Sequence, residues 1–273
     1  MKKELLSDLI FEKLAQQKQF LKSKFSNSQH AIGYFFIDDL LPAEIATAIY
    51  EAFPTPDKMV LKKSIREDKY VAAQMNLYEP LLEEIIYAFQ DKRIVSLIGN
   101  ICNIEDAMPD AHLYAGGISM MGNKQHLNPH LDNSHDKDRH RWRVLNILYY
   151  VTPDWKEEYG GNLELWPNGI RQNQVTIHSK FNRLAVMATH NRSLHSVSKV
   201  NSDNYRCCIS NYYFSKKPLV ASDTFHVTSF RGRPGNKLED MILQIDMLMR
   251  TAMRKIFRNG IKENPHVYKK AEK

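Results

Sequence analysis

Between residues 110 and 215 the chain is a succession of short runs rich in Tyr, Ile, Val and Leu, separated by turn residues. The runs read HLYAGGISMM, VLNILYYVT, NLELW, NQVTIH, RLAVMAT and CCISNYYFS. Repeated short strands at this spacing are typical of an antiparallel sandwich or jelly roll. A chain of 273 residues is also long enough to bury a core of its own.

Helical patterns flank this β-rich part on both sides. Before it, apolar side chains recur at helical spacing over 3–25, 43–53 and 79–99, with Gly99 as the expected stop. After it, residues 236–260 predict an amphipathic helix. Asn236 is its expected N-cap and Gly260 lies beyond its end.

These patterns predict an α+β protein with a mainly β core. We expect an N-terminal helical and strand support region over 1–109, a catalytic core over 110–220 and a basic helical extension over 221–273, all within one compact domain.

The charge of the chain is concentrated at one end. The net charge is +7, from 38 Lys and Arg against 31 Asp and Glu. Residues 216–273 hold 13 basic and 6 acidic side chains, so residues 1–215 hold 25 of each and are neutral. A basic end suits an anionic membrane surface, nucleic acid or an acidic partner, or it is simply the solvated face of a helix.

The compartment follows from the cysteines and from the N-terminus. Three cysteines, two of them adjacent, are too few for a disulfide framework and indicate a reducing compartment. Acidic residues interrupt the first apolar segment, which argues against a signal peptide, and no apolar run approaches the roughly 18 residues that cross a bilayer. We expect a cytoplasmic protein, with peripheral contact at the inner face of the membrane through 236–260 as the alternative.

The residues with the clearest chemistry are His130, Asp132 and His195. On an extended segment residues i and i+2 project to the same side, so the His130 imidazole and the Asp132 carboxylate can bind one ion together. His195 follows Asp132 by 63 positions and would complete the site from a neighbouring strand. Two imidazoles and one carboxylate leave open coordination positions, which is the arrangement of non-haem Fe(II) oxygenases.

Arg206 follows His195 by 11 positions, inside an apolar strand. Burying its guanidinium without an anionic partner would be costly, and its planar fork suits a carboxylate. A dicarboxylate cosubstrate would satisfy it.

On these residues the chain resembles the Fe(II)/2-oxoglutarate-dependent dioxygenase superfamily, in its prolyl-4-hydroxylase-like branch. Five stretches carry the likeness: HLD, RVLNILYYVTPDW, EEYGGNLELW, FNRLAVMATHNRSLHSVSKV and YRCCISNYYFS. The resemblance implies a double-stranded β-helix with Fe(II) held by His130, Asp132 and His195, and 2-oxoglutarate paired to Arg206. It also implies O2 as co-reactant, ascorbate as an accessory reductant, and hydroxylation of a C–H bond with release of succinate and CO2.

Other residues near the motifs are weaker candidates. Many relatives carry Ser or Thr two positions after the arginine, where this chain has Cys208, a poor donor. Tyr114, on the strand before the triplet, and Asn146, in the strand after it, are candidates for a hydrogen bond to the cosubstrate. His126 and His135 are expected in loops near the mouth of the site, and His190 competes with His195 as the third ligand.

The substrate is not written in these motifs. A small molecule, a sugar, a lipid-linked sugar or a peptide would each suit the superfamily. Two alternatives from other classes stay open: a metal-dependent isomerase or hydrolase of cupin type, which would not need Arg206, and a non-catalytic jelly-roll binding module. Nucleic acid ranks last, because no aromatic platform or basic stripe accompanies the motifs.

Overall fold

The computed structural model describes residues 1–114, 116–256 and 268. The helices in these ranges are α1 (Lys3–Gln16), α2 (Lys18–Ser28), α3 (Ala43–Glu51), α4 (Pro80–Ala88), α5 (Lys92–Ile101) and α6 (Lys237–Ile256). The strands are β1 (Tyr34–Ile37), β2 (Val60–Lys63), β3 (Glu67–Ala72), β4 (Met108–Pro109), β5 (Gly117–Met121), β6 (His126–Leu131), β7 (Trp142–Tyr150), β8 (Leu163–Leu165), β9 (Val175–Ile177), β10 (Arg183–Ala188), β11 (His195–Val197), β12 (Arg206–Ser215) and β13 (Ser229–Phe230).

The strands form one curled antiparallel sheet. Its main path runs β1-β10-β7-β12-β5-β3-β6-β11-β8-β9, and β2, β4 and β13 pair at its margins. Except for β8 and β9, neighbours in this path are not consecutive in sequence, as in the Greek-key connections of a jelly roll. The fold is the double-stranded β-helix expected from the sequence.

The two faces of the central strands serve different surfaces, because side chains alternate along a strand. On β7, the odd-numbered residues from Leu145 to Tyr149 belong to the main hydrophobic core. The even-numbered residues from Asn146 to Tyr150 line a cavity. Alternate residues of β7 therefore face the hydrophobic core on one side of the sheet and the cavity on the other.

Helices from the N-terminal region cover the packed face. The buried apolar residues of α1, α2, α4 and α5 join the same core as the odd-numbered residues of β7. Phe89, just after α4, has its ring centroid 5.8 Å from that of Tyr149, and the hydroxyl of Tyr149 donates to Oδ1 of Asn182 at 2.8 Å. These contacts brace β7 from behind.

Two of the predicted helices are each divided in two. Residues 3–25 form α1 and α2, and residues 79–99 belong to α4 and α5. The second division occurs because the Asp91 side chain accepts a hydrogen bond from the backbone N–H of Arg93 at 2.9 Å and caps a new helix. The prediction that Gly99 ends this helix was wrong. Gly99 lies inside α5, where a Cβ would be 2.7 Å from the carbonyl oxygen of Ile104.

The C-terminal helix begins as predicted. The side chain of Asn236 accepts a hydrogen bond from the backbone N–H of Glu239 at 3.2 Å, which is the N-cap contact. The helix extends to Ile256, and Gly260 lies outside the described residues. None of the described helices is long and apolar enough to span a membrane.

Candidate metal centre and cosubstrate pocket

Three side chains predicted to bind a metal converge at one end of the sheet. His130 on β6 pairs directly with His195 on β11 in the antiparallel ladder, and Asp132 follows β6 immediately. One ligand atom from each lies within 4.8 Å of the others, and all three residues are largely buried. His130 Nε2 is 3.5 Å from Asp132 Oδ1 and His195 Nε2 is 3.8 Å from Asp132 Oδ2.

Both imidazoles are oriented by backbone carbonyls. Nδ1 of His130 is 2.9 Å from the carbonyl oxygen of Asn128, and Nδ1 of His195 is 2.9 Å from that of Ser193. Because a carbonyl oxygen only accepts, each Nδ1 must donate, which leaves the lone pair of each Nε2 facing Asp132. This is the tautomer that binds a metal through Nε2.

The charges at this site favour a cation. Burial alone would raise the pKa of Asp132, but His130, Arg143 and His195 outweigh it and lower the pKa, so the carboxylate is ionised at neutral pH. Burial and the neighbouring His130 lower the pKa of His195 to about 4, so this imidazole is neutral. Oδ2 of Asp132 is buried without a hydrogen-bond partner among the described residues. An ionised carboxylate and two imidazoles that present Nε2 fit Fe(II) in chemistry and in number.

Arg206 lies in the same cavity at the start of β12. Its side chain is buried, and no carboxylate lies within ion-pair distance among the described residues. Its guanidinium carbon is 5.5 Å from the ring centre of Tyr150, and its Nε has no hydrogen-bond partner among the described residues. A buried guanidinium in this state fits an anionic ligand.

The turn at Gly160 and Gly161 makes room for Arg206. Both glycines have positive φ angles, +69° and +66°, as expected for a tight turn. A Cβ at position 161 would be 3.0 Å from Cδ of Arg206. The turn therefore packs against the stem of the arginine rather than serving as a phosphate-binding loop.

Of the two candidates for a further cosubstrate contact, Asn146 lies on the cavity face of β7, and its Oδ1 is buried without a partner among the described residues. Tyr114 lines the cavity as well. It was predicted to lie on a strand, but it lies in a bend before β5. Cys208 shares the cavity face of β12 with Arg206. Burial raises the pKa of its thiol, so it is neutral and a weak donor.

The other histidines are separate from the metal cluster. His190 is buried with Nε2 3.0 Å from the carbonyl oxygen of Ile32, while its Nδ1 accepts from the backbone N–H of Arg192 at 3.1 Å. Both of its ring nitrogens are used, so it does not compete with His195. His135 lines the cavity, as expected for a residue near the mouth. His126 was expected in a loop but is the first residue of β6 and does not line the cavity.

Several residues that line the cavity were not predicted from the sequence, among them Tyr150 and Arg143. Tyr150 could have been found from the alternation along β7. Arg143 could not, because Val144 is an extra residue at a β-bulge: Tyr213 pairs with Leu145, but the next residue of β12 pairs with Arg143. The bulge reverses the alternation and turns the Arg143 side chain to the cavity side.

The cavity has a volume of about 580 Å³, within the usual range for small-molecule sites. The metal cluster and Arg206 lie along the sheet, and the β2–β3 hairpin and α6 contribute its rim. The cavity therefore has room for a dicarboxylate and for part of a further ligand.

Comparison with known proteins agrees with this site. Residues 116–214 match the family model of the 2OG-Fe(II) oxygenase superfamily. No curated protein sequence matches the chain significantly.

Similar folds occur among solved structures. A prolyl hydroxylase from Trichoplax adhaerens, in complex with a hypoxia inducible factor peptide fragment, is 20% identical, with a TM-score of 0.51 over 77% of this chain and 96% of its own. A prolyl-4-hydroxylase from Pseudomonas putida is 14% identical, with a TM-score of 0.51 over 71% and 98%. The carbocyclase SnoK of nogalamycin biosynthesis, described as non-heme and alpha-ketoglutarate dependent, is 14% identical, with a TM-score of 0.54 over 79% and 88%. These similarities show a shared fold.

The family match spans β5 to β12 and so contains the metal cluster and Arg206. This part of the chain is therefore similar to the 2OG-Fe(II) oxygenase superfamily, and the match together with the site indicates a 2-oxoglutarate-dependent oxygenase.

Proposed function

We propose that the chain hydroxylates a C–H bond of an organic substrate, with His130, Asp132 and His195 holding Fe(II) and Arg206 pairing with the distal carboxylate of 2-oxoglutarate. Succinate and CO2 are the products of the cosubstrate. The observation that carries this proposal is the convergence of the three ligands and a buried guanidinium without a carboxylate partner on one cavity.

Each residue has a defined part. His130 and His195 present Nε2, because their Nδ1 atoms are held by carbonyls, and Asp132 supplies the negative charge. Arg206 fixes the far end of the cosubstrate, and the amide of Asn146 and the hydroxyl of Tyr114 are the proposed further contacts. When bound, the iron and 2-oxoglutarate supply the activation of O2 and the oxidation of the C–H bond. The protein orients the reactants and excludes water.

Removing the metal carboxylate tests this assignment. We expect Asp132→Ala to abolish the substrate-stimulated formation of succinate and to weaken Fe(II) binding, because the two imidazoles remain without an anionic ligand. Asp138→Ala, in the exposed part of the same loop, is the control and should behave as the wild type. Undiminished succinate formation and metal binding in Asp132→Ala would contradict the assignment.

Succinate formation also serves as the measurement in a screen for the substrate. Small acids, sugars, lipid-linked sugars and peptides are offered in turn, and stimulation of succinate release identifies the class. Ascorbate, proposed as the accessory reductant, should raise the number of turnovers in these assays.

We further propose that the protein contacts an anionic membrane surface from the cytoplasmic side through α6. Six apolar side chains that lie at helical spacing on α6 are 44–65% exposed, namely Leu238, Met241, Ile242, Ile245, Leu248 and Met249. Within the described part of α6, only Leu243 is fully buried. An exposed apolar stripe in a basic terminal region is typical of helices that lie in a membrane interface.

A further inference from the structure

We propose that the cavity contains a second anion site, built from Arg143 and the cross-strand pair Lys62 and Lys69, which binds a carboxylate or phosphate group of the substrate. The inference rests on the proposed function and adds the substrate class: the molecule that is hydroxylated is anionic.

Arg143 is the centre of this site. Its side chain is only 3% exposed, and among the described residues its guanidinium donates no hydrogen bond. Its ion-pair contact within the described chain is Asp132, with Nη1 3.6 Å from Oδ2, a carboxylate that a metal would share. Its guanidinium carbon lies 4.2 Å from the ring centre of Tyr212, a stacking contact that fixes its plane. Burying this charge is costly unless a ligand supplies hydrogen-bond acceptors.

Arg143 is separate from the proposed cosubstrate arginine. Arg206 is the first residue of β12, whereas Tyr212, on which Arg143 stacks, lies six positions further along the same strand. Because a β-strand rises by about 3.3 Å per residue, the Cα atoms of Arg206 and Tyr212 are about 20 Å apart. Asp132 contacts Arg143 and both histidines, so a substrate anion bound by Arg143 would be close to the metal ligands.

The rim of the cavity adds further positive charge. Lys62 on β2 pairs directly with Lys69 on β3, and both line the cavity. Like charges directly opposite each other on two strands are unfavourable. Glu67 lies 3.0 Å from Lys69, but no carboxylate lies within 4.0 Å of Lys62 among the described residues. A bound anion would relieve this repulsion.

The charge balance of the lining points the same way. Two of its residues are acidic, Glu67 and Asp132, and six are basic: Lys62, Arg66, Lys69, Arg143, Arg206 and Arg250. Fe(II) and 2-oxoglutarate would add charges of +2 and −2 and leave this excess unchanged. Arg66 and Arg250 both pair with Asp246, which lies outside the lining, so six basic residues face three acidic ones. The remaining excess of positive charge would attract an anionic substrate.

The test measures binding, with the full-length protein loaded anaerobically with Fe(II) and 2-oxoglutarate. Inorganic phosphate and glucuronate are titrated as anionic probes and glucose as the neutral match, followed by calorimetry and by the charge-transfer absorption of the iron–cosubstrate pair. We expect at least one anionic probe to bind more tightly than glucose. Which of the two binds distinguishes a phosphate from a carboxylate substrate.

Three variants locate the site. We expect Arg143→Gln and Lys62→Gln each to weaken the binding of the anionic probe by at least about tenfold, because each variant removes one positive charge that would pair with the anion. Lys63→Gln, on the same strand but largely exposed, is the matched control and should bind as the wild type. Retention of the charge-transfer absorption in both weakened variants would show that the metal and cosubstrate sites are intact.

Three results would overturn the proposal. Either no anionic probe binds better than glucose, or its affinity is the same in all four proteins. A merely structural role of Arg143 gives a different pattern: Arg143→Gln loses the charge-transfer absorption, and Lys62→Gln binds the probe normally, which also overturns the proposal. Absence of the absorption in the wild type would instead refute the proposed function.

Discussion

At the scale of single residues, Arg206 is buried in the cavity with no carboxylate within ion-pair distance among the described residues. We expect Arg206→Gln to raise the KM for 2-oxoglutarate by about 30-fold or more, since losing one partner of a buried ion pair costs at least about 2 kcal/mol. The KM of Arg206→Lys should lie between those of the wild type and Arg206→Gln, because an ammonium keeps the charge but loses the bidentate geometry. Rates of succinate formation at varied 2-oxoglutarate measure the effect.

The control for this prediction is Arg192→Gln, which removes an exposed arginine from the loop before β11. Its KM should be that of the wild type. An unchanged KM in Arg206→Gln would mean that the cosubstrate carboxylate binds elsewhere.

The residues of the site could be predicted as far as simple periodicity reaches. His130 and Asp132 share a side because they are two positions apart, and a strand that returns beside them can bring His195 opposite His130. Arg143 was missed because one extra residue, Val144, breaks the period of two. The composition of the segment RWRVLN does not predict a bulge, because the bulge depends on how β7 pairs with β12.

At the scale of elements, Asp38 joins the end of β1 to the start of β10. Its carboxylate accepts two hydrogen bonds from Arg183, at 2.5 and 2.9 Å, and one from Lys180 at 3.0 Å. The hydrogen bonds from Arg183, opposed by burial and helped by Lys180, lower the pKa of Asp38. A lowered pKa stabilises the fold above the unfolded pKa of about 3.9, and this contribution is lost as pH falls through the folded pKa.

We therefore expect Asp38→Asn to lower the free energy of unfolding by about 1 kcal/mol at pH 7, after solvent screening is allowed for. The difference from the wild type should shrink as the pH falls below about 4. Urea unfolding at several pH values measures it. Asp39→Asn, at the exposed neighbouring position, should change stability little at any pH, and a pH-independent loss in Asp38→Asn would contradict this account.

Among the elements, long apolar patterns were predictable and local interruptions were not. The strands between 110 and 215 were recognised because apolar residues and turn residues alternate there. The β2–β3 hairpin was not predicted, because its strands are rich in charged residues, such as Lys62 and Glu67. Its place in the sheet comes from the pairing of β3 with β5 and β6, a long-range contact that local sequence does not encode.

At the scale of the whole molecule, the proposed membrane contact can be tested without disturbing the fold. We expect the full chain to sediment with vesicles of phosphatidylcholine and phosphatidylglycerol. Leu248→Asp combined with Met249→Asp should reduce this binding at least about tenfold, because both side chains are more than 60% exposed and a charge is poorly tolerated in an apolar interface.

The matched control is Leu77→Asp, which changes an exposed leucine far along the chain from α6. It should sediment as the wild type does. Binding that is equal in all three proteins, or that does not require the anionic lipid, would remove the proposal.

The inner side of α6 is held by polar contacts to the rim of the cavity. The carboxylate of Asp240 accepts from Nε of Arg231 at 2.7 Å, Asp246 pairs with Arg66, and Arg250 lines the cavity. An α-helix with its side chains is about 10–12 Å thick. A membrane surface bound by the exposed apolar side chains of α6 would thus lie about one helix diameter from the cavity. Membrane binding and substrate access would then be geometrically coupled. A substrate anchored in the membrane by a short linker could enter the cavity while its anchor stays in the membrane.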